Sequence, residues 1–149
     1  MAERLGEIFL RKKLITIEQL EKALQEQTRT GEYLGEILVR SNYVTEENVL
    51  EALAEQFDTQ FILLDKTYIN PYVINLVPRD LILEYKFMPL DLHEKVMLIA
   101  VSNPLEFWLR SVLQERLHLS GVQILLAKKK DILGTLQKFY SVEVTGDKE

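Results

Sequence analysis

The sequence predicts an α+β protein: a four-helix bundle at the N-terminus, followed by a small α/β subdomain around a three- or four-stranded sheet. Three observations predict it. The stretch Arg4 to Gln27 is repeated at Tyr33 to Gln56, with Leu5/Leu34, Gly6/Gly35, Glu7/Glu36, Ile8/Ile37, Arg11/Arg40, Thr16/Thr45, Glu18/Glu47, Ala23/Ala52, Leu24/Leu53, Glu26/Glu55 and Gln27/Gln56 identical. Ordinary residue usage of roughly 5–10% each would give about one or two matches over such a window, so the duplication is architectural. Apolar residues within each copy recur at spacings of three and four, the helical period. After Asp58 the pattern changes to short apolar runs divided by Pro, Asn and Gly, which is how strands and short helices alternate.

Each copy resolves into two helices. Leu5, Ile8 and Phe9, with a lysine-rich end, predict a short first helix, and Leu14-Ile15 is the connection. Thr16-Ile17-Glu18-Gln19 reads as a capping box: the Thr hydroxyl accepts from the third helical N–H and Gln19 reaches back. Leu20, Ala23 and Leu24 form the stripe of the second helix. Thr28 to Glu32 joins the copies, with Gly31 at the turn. Leu34, Ile37 and Leu38 begin the third helix. Thr45 opens the fourth, with Glu46 and Glu47 in its first turn, where the helix dipole favours acids, and with Val49, Ala52 and Leu53 as its stripe. Helix pairs this short cannot hide their apolar faces separately, which predicts the bundle over residues 1–57.

Residues 58–140 form the predicted second subdomain. Phe61 to Leu64 reads as a short buried strand or extended segment. Asn70-Pro71 and Val77-Pro78 each place Pro where a short helix can start. Phe87 to Leu92 and Lys95 to Val101 are the arms of a hairpin, with its turn at Asp91-Leu92-His93-Glu94. Asn103-Pro104 opens a helix, Asn as N-cap and Pro at the first helical position. Leu105, Leu109, Val112, Leu113 and Leu117 lie along it, and Ser120-Gly121 ends it. Val122 to Ala127 is a further strand and Asp131 to Tyr140 the last helix. Residues 141–149 are expected to be a disordered tail.

Composition narrows the function classes. The 149 residues are 47% hydrophobic and contain no cysteine, which removes disulfides, thiolate metal sites and a Cys nucleophile. A net charge of −5 argues against DNA or RNA as partner, because that affinity is carried by excess Lys and Arg. No apolar run approaches the roughly 18 residues of a membrane span, and the charged N-terminus is unlike a signal peptide; a cytoplasmic protein is expected. His93 and His118 lack a second ligand at zinc spacing, and no Ser-His-Asp or paired-carboxylate arrangement stands out. The expectation is a protein that is not an enzyme and holds no metal or cofactor.

The repeat also carries a family resemblance. Arg4-Leu5-Gly6, Phe9-Leu10, Leu14-Ile15, Leu20, Leu24 and Gln27 resemble the motif of the N-terminal domain of type II secretion and type IV pilus assembly ATPases, in which the motif occurs twice. Asn70-Pro71, Val77-Pro78, Phe87-Met88-Pro89-Leu90 and Leu98 to Leu105 are similar to the rest of that domain. The resemblance, which extends to the MshE N-terminal-like branch, implies a regulatory and docking module ahead of a hexameric ATPase, at the cytoplasmic face of the inner membrane. Its implied partners are the ATPase or the inner-membrane platform protein, and its implied ligand is cyclic di-GMP. No G-x-x-x-x-G-K-[ST] stretch is present to cradle nucleotide phosphates.

Such a ligand matches a duplicated motif, being two guanosine phosphates in one ring. Guanine offers two acceptors on one edge, which suits a guanidinium fork. Phosphates suit backbone N–H groups near a helix N-terminus, and Gly lets the backbone approach. Carried over by position, the resemblance implies Arg4, Leu5, Gly6, Phe9, Leu10 and Gln27 in the first motif, and Tyr33, Leu34, Gly35, Glu36, Leu38, Val39 and Gln56 in the second, with Asn103 from the second subdomain. The chain departs from the pattern in five places. Tyr33 replaces Arg and offers a stacking ring without the fork. Lys13 and Asn42 stand at the motif's internal Gly, and Glu36 and Asn103 stand where Asp is expected. Bland readings stay open beside these: Arg4 as a solvated charge, Gln27 and Gln56 as helix bridges, Gly6 and Gly35 as close-packing residues, and the apolar stripe as core. Two functions therefore follow: a cyclic di-GMP sensor, or a docking adaptor of a secretion or pilus machine without the nucleotide.

Overall fold

The helices of the first half start and stop where local hydrogen-bond chemistry sets their limits. The structure, a computed structural model, describes residues 4–106 and 108–141. Among these it has eight α-helices and a three-stranded sheet, an α+β fold in two compact units, the first ending at Thr59 and the second beginning at Gln60.

The first unit contains α1 (Leu5–Arg11), α2 (Ile17–Thr30), α3 (Leu34–Arg40) and α4 (Glu46–Gln56). At the start of α2 the Thr16 hydroxyl accepts from Gln19 N–H at 3.1 Å, and the Gln19 side chain accepts from Thr16 N–H at 2.9 Å. Thr45 and Asn48 repeat this reciprocal pair at α4, at 3.0 Å each way. A cap of this kind contributes about 1 kcal/mol. α2 ends at Gly31, whose φ of +78° only Gly adopts freely.

The helix C-termini repeat as well. Leu14 N–H reaches the Phe9 carbonyl and Lys13 N–H the Leu10 carbonyl; in the second copy Tyr43 reaches Leu38 and Asn42 reaches Val39. This six-to-one and five-to-two pairing satisfies the orphan carbonyls and needs a left-handed residue after the cap. Lys13 (φ +60°) and Asn42 (φ +63°) fill that place. A Cβ there costs about 1 kcal/mol, less for Asn. Lys13→Gly should therefore raise the unfolding free energy read from urea titration by at most about 0.5 kcal/mol, once the greater freedom of Gly in the unfolded chain is subtracted. Asn42→Gly should change it less.

In the second unit, a 3₁₀ turn at Leu64–Lys66 is followed by α5 (Pro71–Leu76), α6 (Arg79–Tyr85), β1 (Met88–His93), β2 (Val96–Val101), α7 (Trp108–Leu117), β3 (Gly121–Leu126) and α8 (Lys129–Tyr140). The sheet order is β1-β2-β3. β1 and β2 are antiparallel, while β2 and β3 are parallel, joined through α7. Phe87, Met88, Leu90, Ile99, Ala100, Leu126 and Leu136 are fully buried.

Four expectations are corrected. Of the two readings of Phe61 to Leu64 the extended segment holds and the buried strand does not: Phe61 makes one parallel bridge to Leu126, Ile62 N–H donates to the Leu126 carbonyl, Leu63 is exposed, and Leu64 enters the 3₁₀ turn. The hairpin tip is Glu94-Lys95, both at positive φ (48° and 68°), the two-residue turn that matches strand twist. Asp91 lies in β1 beside a bulge instead. It accepts from the Asn70 side chain at 3.0 Å and from Leu92 N–H at 2.9 Å, and these bonds hold its carboxyl below the usual range. Asn103-Pro104 forms a turn rather than the start of α7: the Asn103 side chain accepts from Leu105 N–H at 2.9 Å, and Glu106 N–H reaches the Asn103 carbonyl. The same side-chain chemistry serves turn and cap. Finally, α7 ends on left-handed His118 (φ +55°), and Gly121 begins β3. The tail from 142 to 149 lies outside the described residues.

Tyr140 closes α8 with its ring buried. Among the described residues its hydroxyl has no hydrogen-bond partner, and burial pushes its pKa up to about 12. The folded state therefore holds the phenol proton where the unfolded chain, with a pKa near 10, releases it. Stability should fall as pH rises from 10 towards 12. Tyr140→Phe should flatten that alkaline limb in pH-dependent urea titrations. At neutral pH it should stabilise by about 1 kcal/mol, because an unpaired buried hydroxyl is removed.

Candidate functional site

Glu26 and Glu55 occupy the same place in the two copies, as do Arg11 and Arg40. Arg11 pairs with Glu55, and Arg40 pairs with Glu26 at 3.6 Å. Each copy thus hands its arginine to the glutamate of the other. Lys12 reinforces Glu55 at 3.2 Å, and Arg29 reinforces Glu26 at 2.5 Å. Both carboxyls are held below their usual pKa, Glu26 chiefly by Arg29 and Glu55 chiefly by Lys12. The helix packing has the same reciprocity. α1 packs on α4 and α2 on α3, while α1 and α3 touch each other. The copies are therefore related by an approximate twofold relation that runs between α1 and α3.

Gly6 and Gly35 permit the close packing. A Cβ on Gly6 would lie 2.9 Å from Leu20 Cδ1, and one on Gly35 would lie 2.7 Å from Val49 Cγ1. Both separations are below van der Waals contact, so a side chain at Gly6 would require Leu20 to shift, and one at Gly35 would press on the stiffer Val49 between α3 and α4. A Cβ on Gly35 would also lie 3.8 Å from Leu5 Cδ2, on the side where α1 and α3 touch.

Arg4 and Tyr33 are the residues immediately before these two helices, both extended. Arg4 is exposed, and its backbone N–H donates to the Glu7 carboxylate at 2.9 Å. Among the described residues its guanidinium has no ion-pair or hydrogen-bond partner. Tyr33 is 44% exposed. Leu5, Leu10, Leu34 and Val39 are half-buried, and Glu36 is exposed. Phe9 and Leu38 are 0% exposed; their side chains are core beneath the face that carries Arg4 and Tyr33. Gln27 is half-buried and donates to the Glu32 carbonyl at 3.1 Å, bridging the turn between the copies. Gln56, its counterpart, is half-buried and also partnered. Asn103 belongs to the second unit, where its side-chain oxygen is committed to the Leu105 turn.

One feature is absent from the sequence reading: an open groove of about 470 Å³ between α2 and α3, lined by Lys22, Glu26, Arg29, Ile37, Arg40 and Tyr43. Its signal lies where the copies disagree. Lys22 and Arg29 correspond to Glu51 and Asp58, so the matching place in the other half carries opposite charge. Among the described residues no cluster of three His, Cys, Asp or Glu is arranged for a metal ion. No helix there is long and apolar enough to cross a membrane.

Comparison with known proteins gives a consistent pattern. The MshEN domain model matches residues 57–146, more than half of the chain and nearly all of the second unit. The type IV pilus assembly ATPase PilB of Myxococcus xanthus (strain DK1622) is 25% identical over 143 residues, 95% of this chain. The chain spans about a quarter (25%) of the length of that relative. Among solved structures, MshE with cyclic di-GMP superposes with a TM-score of 0.84 at 24% identity, over 93% of this chain and 99% of that one. The N-terminal domain of XpsE superposes with a TM-score of 0.63 at 13% identity, over 97% and 99%. At these identities the superpositions establish a shared fold.

Proposed function

The chain belongs to the MshEN domain family, and on that premise we propose that it is a non-catalytic regulatory and docking module of a type II secretion or type IV pilus machine that binds cyclic di-GMP through its tandem motif. The observation that carries this reading is that α1 and α3, the first helices of the two motifs, touch each other. This sets the two motifs side by side on an approximate twofold relation, the symmetry of a ligand made of two guanosine phosphates. Arg4 supplies a guanidinium fork for one guanine edge, Tyr33 an aromatic side chain with a hydroxyl beside the second base, and Leu5, Leu10, Leu34 and Val39 an apolar floor. Binding would act by changing how the helical unit packs against its partner, an ATPase or an inner-membrane platform protein at the cytoplasmic face. Residues 1–57 serve as the sensing part in this scheme and 58–140 as the docking part.

Calorimetry with cyclic di-GMP tests the reading. The wild-type chain should bind in the micromolar range or tighter. Arg4→Ala should weaken binding roughly ten- to hundredfold, the loss of one charge-assisted pairing, with an unchanged far-UV spectrum. No heat from wild type at high concentration would leave the second reading, a docking adaptor without nucleotide. A specific feature favours docking in its own right: Tyr72 (67% exposed) and Leu76 stand one turn apart on α5, next to Tyr68 (69% exposed).

A further inference from the structure

We infer that the site prefers a mixed cyclic dinucleotide, one guanine and one adenine in the ring, over cyclic di-GMP. The inference rests on the proposed binding reading and deepens it. The two copies are alike in backbone, caps, packing glycines and reciprocal ion pairs, yet they differ at the one exposed position that precedes each first helix. Arg4 fills that position in the first copy and Tyr33 in the second. The side-chain chemistry on the two sides of the shared face is therefore unequal, and a ligand with two identical bases fits one side better than the other.

The base edges decide which base goes where. Guanine presents O6 and N7, both acceptors, and adenine presents N7 as acceptor and the N6 amino group as donor. A guanidinium is all donors. Arg4 therefore satisfies both guanine atoms, but it would set donor against donor at an adenine amino group. A phenol hydroxyl donates once and also accepts. Tyr33 can donate to adenine N7 and accept from N6–H, matching both atoms, whereas with guanine it satisfies one acceptor and leaves the other unpaired. The nearest arginine along α3, Arg40, is held by Glu32 at 2.6 Å and by Glu26.

The experiment is calorimetry of the wild-type chain with three ligands: 3′,3′-linked cyclic GMP–AMP, cyclic di-GMP and cyclic di-AMP. The mixed ligand should bind about tenfold tighter than cyclic di-GMP, the discrimination of one well-paired base edge, and cyclic di-AMP should bind weakest. Tyr33→Arg should reverse the order of the first two, and Tyr33→Phe should bring them level. The position is exposed, and a far-UV spectrum checks that each variant stays folded. Equal or tighter binding of cyclic di-GMP by the wild type would overturn the base preference while leaving the proposed function intact. An unchanged order in Tyr33→Arg would overturn it too. Silence with all three ligands would overturn both readings together.

Discussion

Phe9→Ala should destabilise the first unit by about 3–5 kcal/mol, the usual effect of emptying a fully buried aromatic site. Phe9 is 0% exposed, so its ring is surrounded on every side, and the loss combines the lost transfer free energy with a cavity that neighbouring helices fill only in part. A unit of this size has little in reserve. Small domains bury a lower fraction of their surface, and total stabilities of about 5–15 kcal/mol are typical even for larger ones. Urea titration followed by far-UV circular dichroism should show an early transition for this variant, with the helical signal falling first. The repeat supplies the control. Leu38 occupies the corresponding place in the second copy and is also 0% exposed, so the surrounding geometry is one that accepts leucine. Phe9→Leu should therefore cost less than about half of Phe9→Ala, and Leu38→Ala should cost about 2–5 kcal/mol. A loss below about 1 kcal/mol for Phe9→Ala would mean that the ring is not core. The variant also separates fold from ligand: it should lose binding only as it loses helix, whereas Arg4→Ala should lose binding with its helices intact.

How much of this was legible depended on whether a residue's partner was close in sequence. The Thr16–Gln19 cap was readable because both members lie within one turn, and the boundary of α2 follows from it. The Gly31 turn was readable because few residues other than Gly take φ of +78°. Glu94-Lys95 was not readable as the hairpin tip: neither residue carries the Gly or Asn that marks such turns, and Asp91 nearby looked more turn-like while its carboxylate was engaged by Asn70. Asn103 signals a side-chain-capped N–H, and the sequence pattern is the same whether a turn or a helix follows. In the candidate site, the repeat identities already contained the reciprocal ion pairs, since Arg11/Arg40 and Glu26/Glu55 are conspicuous charged matches. Their crossed pairing needed the packing of α1 on α4. Phe9 and Leu38 belong to the motif by position, and both side chains are fully buried, which only the packed bundle reveals. Lys22 and Arg29 passed unnoticed because the groove they line forms only when α2 meets α3.

Gly35→Val should destabilise by about 3 kcal/mol, at the upper end of what overpacking usually costs, and more than the same change at Gly6. The reason is the neighbour. A Cβ on Gly35 would sit 2.7 Å from Val49 Cγ1, and a β-branched residue in a helix has one strongly preferred χ1 rotamer, so Val49 cannot swing aside. A Cβ on Gly6 would meet Leu20 Cδ1 at 2.9 Å, the far end of a more adaptable side chain that can rotate away. Alanine at both sites separates the effects: Gly6→Ala should be nearly neutral, because the better helix propensity of alanine, about 1 kcal/mol, offsets a clash that Leu20 can relieve. Gly35→Ala should remain destabilising. Val49→Ala removes the clashing methyls and should recover much of the loss in Gly35→Val, so that the two changes together cost less than their sum, a coupling of about 1 kcal/mol or more between touching residues. Thermal or urea midpoints of the five single variants and the double variant provide the measurement. Simple additivity would mean that α3 and α4 do not approach this closely.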